Sequence, residues 1–219
     1  MNIRSALRAE SLVLEGPAGA LEARLDFPTG GDVDPAAPGA FAVVCHPHPL
    51  FGGTLTNKVV HTLARAFNDS GIPSLRFNFR GVGDSAGTHD GGAGEVHDAL
   101  AAVRYGRRRW PQAQLWLAGF SFGAAVALRA CPEAAAAGLV AVAPAVDRMD
   151  IGMVSPACPL LVVLGDADDV VSPQRMLDWA RGLDPAPALE VLAGAGHYFH
   201  GRLPELHDSV TAFLNQRPG

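Results

Sequence analysis

From residue 40 onward, two hydrophobic patterns take turns along this chain. Short, nearly continuous apolar runs predict buried strands at Ala40–Cys45, Ser74–Phe79, Leu115–Ala118, Leu139–Ala143, Leu160–Leu164 and Ala188–Leu192. Between them, helical periodicity predicts helices at Lys58–Asn68, Glu95–Tyr105, Phe122–Ala130, Pro173–Arg181 and Leu203–Leu214. In the first of these, Val59, Leu63, Ala66 and Phe67 share one face, and Pro173 suits a helix start. Ahead of this region, Leu12–Leu14 and Leu21–Phe27 flank Gly16-Pro17-Ala18-Gly19 and read as a hairpin. Residues 28–40 (PTGGDVDPAAPGA) read as a surface loop. Alternating strands and helices with apolar strands predict an α/β protein whose mainly parallel sheet is covered on both faces. The hairpin adds antiparallel strands at one edge. There is no internal repeat, and 219 residues suit one sizeable core, so residues 1–219 read as a single domain.

Charge and cysteine content narrow the function classes. A net charge of −5 argues against a nucleic-acid or anionic-membrane partner. The basic residues are almost all Arg, Lys58 being the sole lysine, and the run Arg107-Arg108-Arg109 fits a helix C-terminus. Cys45, Cys131 and Cys158 are odd in number and lack motif spacing, so neither a disulfide framework nor a zinc site is implied. Residues 1–16 lack the apolar stretch of a secretory signal, and Ala134–Val146 is too short to span a bilayer. The expectation is a cytoplasmic protein without a cofactor. Its oligomeric state has no signal in the sequence.

The candidate chemistry lies directly after predicted strands, where sites form in parallel α/β sheets. Gly119-Phe120-Ser121-Phe122-Gly123 reads G-x-S-x-G between a strand and a helix. Gly is common in this chain, so the letters alone are weak; the strand before and the helix after make them a nucleophile elbow. Glycines flank such a turn where a Cβ would collide. A serine becomes a useful nucleophile only when a base takes its proton. His197, in Ala193-Gly194-Ala195-Gly196-His197 after a strand, is the candidate base. An acid to orient it is expected in Gly165-Asp166-Ala167-Asp168-Asp169-Val170-Val171, where Asp166, Asp168 and Asp169 crowd one turn. Two backbone N–H groups should face the developing oxyanion. Phe122, after the serine, offers one. The second should come from His46-Pro47-His48-Pro49-Leu50, where the prolines carry no N–H, leaving the backbone of His48 first and Leu50 next.

These motifs, in the order serine, acid, histidine, resemble the α/β-hydrolase superfamily over nearly the whole chain. In detail the chain resembles small bacterial serine hydrolases without a lid. The resemblance rests on HPHPLFGG (46–53), Asn57-Lys58-Val59-Val60, RFNFRGVGDS (76–85), GFSFG (119–123), GDADDVVSP (165–173) and GAGH (194–197). It implies a central sheet of about eight strands. It also implies a triad of Ser121, Asp168 and His197, with Asp168 selected by the pattern G-x-x-D-x-x-V, and oxyanion donors at Phe122 and His48. Many relatives have His-Gly where this chain has His46-Pro47.

Other features read as structural. His46 and His48 have H-x-H spacing but no accompanying carboxylate or cysteine cluster, so no metal is expected. His200 reads as a surface residue, and His61, His89, His97 and His207 as structural or exposed. Gly81-Val82-Gly83-Asp84-Ser85-Ala86-Gly87 reads as a turn beside the active site, since its third glycine is misplaced for dinucleotide binding. Only PAVDRMDIGMVSPACP separates Ala143 from Leu160, which leaves no room for a lid. The expectation is an open cleft, with Leu50, Phe51, Phe122, Tyr198 and Phe199 as apolar walls. Such a cleft suits a small-molecule ester with a short or medium acyl group. Thioesterase, lactonase and peptidase chemistry use the same machinery, and a non-catalytic binding protein is the remote alternative.

Overall fold

The computed structural model describes residues 9–29, 34–149, 151 and 157–216. Parts of the N-terminal segment, of the 28–40 loop and of the segment after Ala143 fall outside these residues. An eight-stranded sheet forms the centre. Its strands are β1 (Ala9–Gly16), β2 (Gly19–Asp26), β3 (Ala40–Cys45), β4 (Ser74–Phe77), β5 (Gln114–Phe120), β6 (Gly138–Val142), β7 (Leu160–Gly165) and β8 (Ala188–Leu192). The spatial order is β1-β2-β4-β3-β5-β6-β7-β8. β1 pairs with β2, and β2 with β4, antiparallel. Every other pairing is parallel. The helices are α1 (Lys58–Asp69), α2 (Ala93–Arg109), α3 (Phe122–Ala134), α4 (Pro173–Arg181) and α5 (Leu203–Asn215).

The apolar runs form the inner strands because both of their faces are covered. β3, β6 and β7 are buried along their whole length, as is β5 from Leu115 onward. β8, at the sheet edge, is largely exposed until Leu192. α1 packs beside α5, and α2 beside α3. α2 ends on Arg107, Arg108 and Arg109, as its dipole favours. Among the described residues no helix is long and apolar enough to cross a membrane.

The chain runs from β3 to β4 on one side and then crosses to β5 on the other. The order therefore reverses between β3 and β5, where a crevice opens at the carboxyl ends of the strands. Cys45, last in β3, is level with Gly119 in β5. Gly165, last in β7, is level with Leu192, last in β8. Four loops far apart in sequence thus start from one edge of the sheet.

Candidate active site

Ser121 follows β5 on a turn that no ordinary residue favours. Its φ of 55° and ψ of −116° lie in a strained region, costing roughly 1–3 kcal/mol. The surroundings enforce it. The Ser121 N–H donates to the Val142 carbonyl, while its own carbonyl accepts from Ala124 and Ala125. A Cβ on Gly119 would lie 2.2 Å from the Gly123 carbonyl oxygen. A Cβ on Gly123 would lie 2.4 Å from the carbonyl oxygens of both Cys45 and His46. The two motif glycines therefore let α3 close over its own turn and against the loop after β3. The Ser121 hydroxyl makes no capping bond to α3; it lies 3.0 Å from His197 Nε2.

His197 and Asp168 complete a hydrogen-bonded chain. His197 Nδ1 lies 2.7 Å from Asp168 Oδ2, and the carboxylate is fully buried. The other oxygen, Oδ1, accepts from the Val170 and Val171 N–H groups at 2.8 Å each. Burial pushes the Asp168 pKa up, but the His197 hydrogen bond, the backbone donors and the imidazole's charge outweigh it, so the net shift is downward. An ionised Asp168 accepts from Nδ1–H, which leaves the Nε2 lone pair facing the serine hydroxyl. Among the crowded aspartates the geometry is selective. Asp166 ties the Gly194 N–H at 2.6 Å, and Asp169 is exposed.

The loop after β3 is braced by a histidine whose role the sequence left unread. His46 is fully buried. Its Nδ1–H donates to the Pro47 carbonyl at 2.6 Å, and its Nε2 accepts the Phe79 N–H at 3.0 Å. Burial pulls its pKa down to about 4, against a weaker upward pull from the Pro47 carbonyl. With both ring nitrogens committed to backbone, His46 has no lone pair for a metal. His48 instead borders the cleft, and its Nδ1 accepts the Leu50 N–H at 3.2 Å. That bond engages Leu50, the alternative oxyanion donor. The N–H groups of His48 and Phe122 have no protein hydrogen-bond partner among the described residues.

Two shallow pockets meet at Ser121 and His48. One, of about 280 Å³, is lined by Phe51, Phe122, Ala145, Met149, Val170 and Val171, together with Gly91 and Arg148. The other, of about 390 Å³, is lined by Pro47, Phe51, Gly52, Gly53, Asn57, Arg148, Val170, His197 and Tyr198. Phe51 (79% exposed) and Tyr198 (44% exposed) are on the walls, as expected from the sequence. Phe199 is not. It is fully buried, with its ring against Phe120 and a left-handed φ of 52°. Successive side chains at 197–199 turn in, out and in again, which takes Phe199 behind His197. Leu50 is also not on the walls; at 70% exposure it faces outward from the short 3-10 turn Pro49–Phe51.

One more expectation changes. The glycine-rich turn 81–87 borders neither pocket. It faces the β1–β2 hairpin, where the Ala86 N–H donates to Ala20 and Ser85 Oγ accepts from Glu22. His89 is part of a second histidine–carboxylate pair, 2.7 Å from the fully buried Glu95, which also accepts the Gly92 N–H. The His89 ring packs on Phe122 and His48, so this pair supports the cleft wall from behind. Arg148, Met149, Ala145, Val170 and Asn57 were not singled out as wall residues. For Ala145, Arg148 and Met149 the cue was the short β6–β7 connection, whereas Asn57 and Val170 lie within motifs of the family resemblance.

Ser121, His197 and the buried Asp168 carboxylate thus form one hydrogen-bonded chain beside two backbone N–H groups that have no protein partner among the described residues. The sequence profile of the family described as "Serine aminopeptidase, S33" matches residues 42–157. The chain belongs to the α/β-hydrolase superfamily. A crystal structure of an α/β serine hydrolase without lid from Xanthomonas campestris superimposes with a TM-score of 0.91 at 40% identity, covering 98% of this chain and 97% of that one. An α/β serine hydrolase homologue from Coxiella burnetii gives a TM-score of 0.89 at 39% identity, over 96% and 99%. An uncharacterised protein of Rickettsia prowazekii is 35% identical, over 93% of this chain and 87% of that one. This α/β hydrolase therefore shares its fold with proteins similar along nearly the whole chain, one of which is described as having no lid.

Proposed function

We infer that this α/β hydrolase is a serine carboxylesterase that acts through an acyl-enzyme. The observation that carries the reading is the unbroken chain from Ser121 Oγ to His197 Nε2 (3.0 Å) and from His197 Nδ1 to Asp168 (2.7 Å). Ser121 attacks the ester carbonyl as His197 takes its proton, and Asp168 stabilises the imidazolium that forms. The tetrahedral oxyanion sits between the N–H groups of Phe122 and His48, at the N-terminus of α3. His197 then protonates the departing alcohol, and a water repeats the sequence to release the acid.

The two pockets support a division of labour. The leaving group departs beside the imidazole that protonates it, and His197 borders only the second pocket. The alcohol therefore occupies that side, and the acyl chain the apolar pocket of Phe122, Met149 and Val171. An open pocket of this size suits short or medium acyl chains. Aminopeptidase activity, which the matched family's description names, would require a carboxylate to hold a substrate ammonium. Among the described residues lining either pocket there is neither Asp nor Glu. That favours esters over N-terminal peptides.

The test is intact-mass labelling by a fluorophosphonate, followed by peptide mapping. A single adduct on Ser121 that disappears in His197→Ala is the expected result. A folded protein that remains unlabelled would return the fold to a non-catalytic binding role.

A further inference from the structure

Arg148 is the one charged side chain that borders both pockets among the described residues. It lies on the turn after β6, where its backbone N–H donates to the Ala145 carbonyl. One guanidinium nitrogen, Nη2, donates to the Val170 carbonyl at 3.1 Å, which fixes the side chain across the seam of the cleft. No acidic partner for it occurs among the described residues. A guanidinium has five donors in a planar fork, and the Val170 carbonyl leaves most of them free.

The setting makes this cation unusual. The whole chain carries a net charge of −5, so its average surface repels anions. Yet among the described residues neither pocket has an Asp or Glu on its wall, and the catalytic-site carboxylate of Asp168 is buried behind His197. Among the described residues lining the pockets, Arg148 is thus the only Asp, Glu, Lys or Arg, and its charge is opposite in sign to the net charge of the molecule. A cleft meant for neutral esters alone needs no anchored guanidinium between its acyl and alcohol sides.

Building on the esterase reading, we propose that Arg148 selects esters that carry an anionic group, a carboxylate or phosphate, within reach of the scissile bond. The guanidinium binds that group through paired, charge-assisted hydrogen bonds, whose fork matches its geometry. Because this contact is present in the ground state and the transition state alike, it acts mainly through KM. Arg148 borders both pockets, so the anion belongs either to the acyl chain or to the alcohol, and substrates can separate the two.

The experiment measures kcat and KM for two matched pairs. The acyl arm compares p-nitrophenyl hydrogen adipate with p-nitrophenyl hexanoate. The alcohol arm compares the butyrate ester of 4-hydroxybenzoate with that of methyl 4-hydroxybenzoate. The readout is the ratio of kcat/KM, anionic over neutral, in the native protein, in Arg148→Gln and in Arg148→Lys. In one arm the ratio falls about tenfold in Arg148→Gln, chiefly through KM, and is partly restored in Arg148→Lys. Added salt shrinks the same ratio in the native protein. The arm that responds identifies the side that bears the anion. A ratio unchanged by Arg148→Gln in both arms overturns the proposal. Fluorophosphonate labelling of the same samples keeps the two readings apart. A labelled Ser121 with an Arg148-independent ratio sinks the anion selection alone; an unlabelled Ser121 in folded protein sinks the esterase reading and this proposal with it.

Discussion

Two histidine–carboxylate pairs adjoin the cleft, one at Ser121 and one behind His48 and Phe122, and they are nearly identical up to the imidazole. In each, a histidine Nδ1 is 2.7 Å from a carboxylate oxygen, and each carboxylate is fully buried. In each, the carboxylate also accepts backbone N–H groups: Val170 and Val171 for Asp168, Gly92 and Asp90 for Glu95. They differ in what the far ring nitrogen meets. His197 Nε2 faces the Ser121 hydroxyl, whereas His89 Nε2 makes no hydrogen bond among the described residues and its ring packs on Phe122 and His48. A buried carboxylate under an imidazole is thus as good a brace for a loop as it is a partner for a base. The strained serine at the far nitrogen distinguishes the two.

The largest test of that contrast is removal of the nucleophile or the base. Ser121→Ala or His197→Ala is expected to lower ester turnover by about 10⁴- to 10⁶-fold, with the double variant little worse than either, because the groups act as a unit. Circular dichroism checks that the fold persists. Additive losses would break the assignment. Asp168→Asn comes next, at about 10⁴-fold in kcat, through loss of the correct tautomer. The exposed Asp169 offers no substitute. If Asp168→Asn kept activity within tenfold of native, the Asp168 pair would be a brace like its counterpart.

A third histidine sharpens the comparison, because both its nitrogens are spent on backbone. His46 has a folded pKa of about 4, below its ordinary 6.5. Its unfolded form binds the proton more readily, so its contribution to stability is complete above about pH 6.5 and is lost as pH falls toward 4. The loss amounts to about 3 kcal/mol. Urea unfolding at pH 7 and pH 4.5 measures it, and His46→Gln should flatten that part of the pH dependence. An unchanged slope would mean that His46 is not the group responsible. The smallest effect belongs to Glu95→Gln. Weakening this buried hydrogen-bonded network is expected to cost about 1–3 kcal/mol of stability, while turnover stays within tenfold. A loss comparable with that of Asp168→Asn would remove the distinction between the pairs.

Most of the fold was legible because burial leaves a periodic trace. The six strands from β3 to β8 were placed within a residue or two. β5 runs on through Gly119 to Phe120, since a glycine reads locally as an interruption although here it is the close approach of Gly123 that requires it. α2 extends to Arg109 because its last turn is charged and exposed, which carries no apolar signal. Within the site, Ser121, Asp168 and His197 stood out because each follows a strand and sits among glycines or a recognisable turn. Phe199, Leu50 and the 81–87 turn were read as closer to the cleft than they lie. Consecutive loop side chains have no fixed period, so nothing in the sequence states which of them turns inward.

Local sequence therefore specified the order of strands and helices, the elbow serine, and the loops that carry the candidate base and acid. Each is set by local backbone demands and by hydrophobic period. Tertiary packing fixed the rest. It brought His46 under the loop after β3, put Arg148 on the seam between the pockets, and gave His197 rather than His89 a serine to face. These outcomes depend on how loops from distant strands pack against one another at a single sheet edge, and no local pattern encodes that packing.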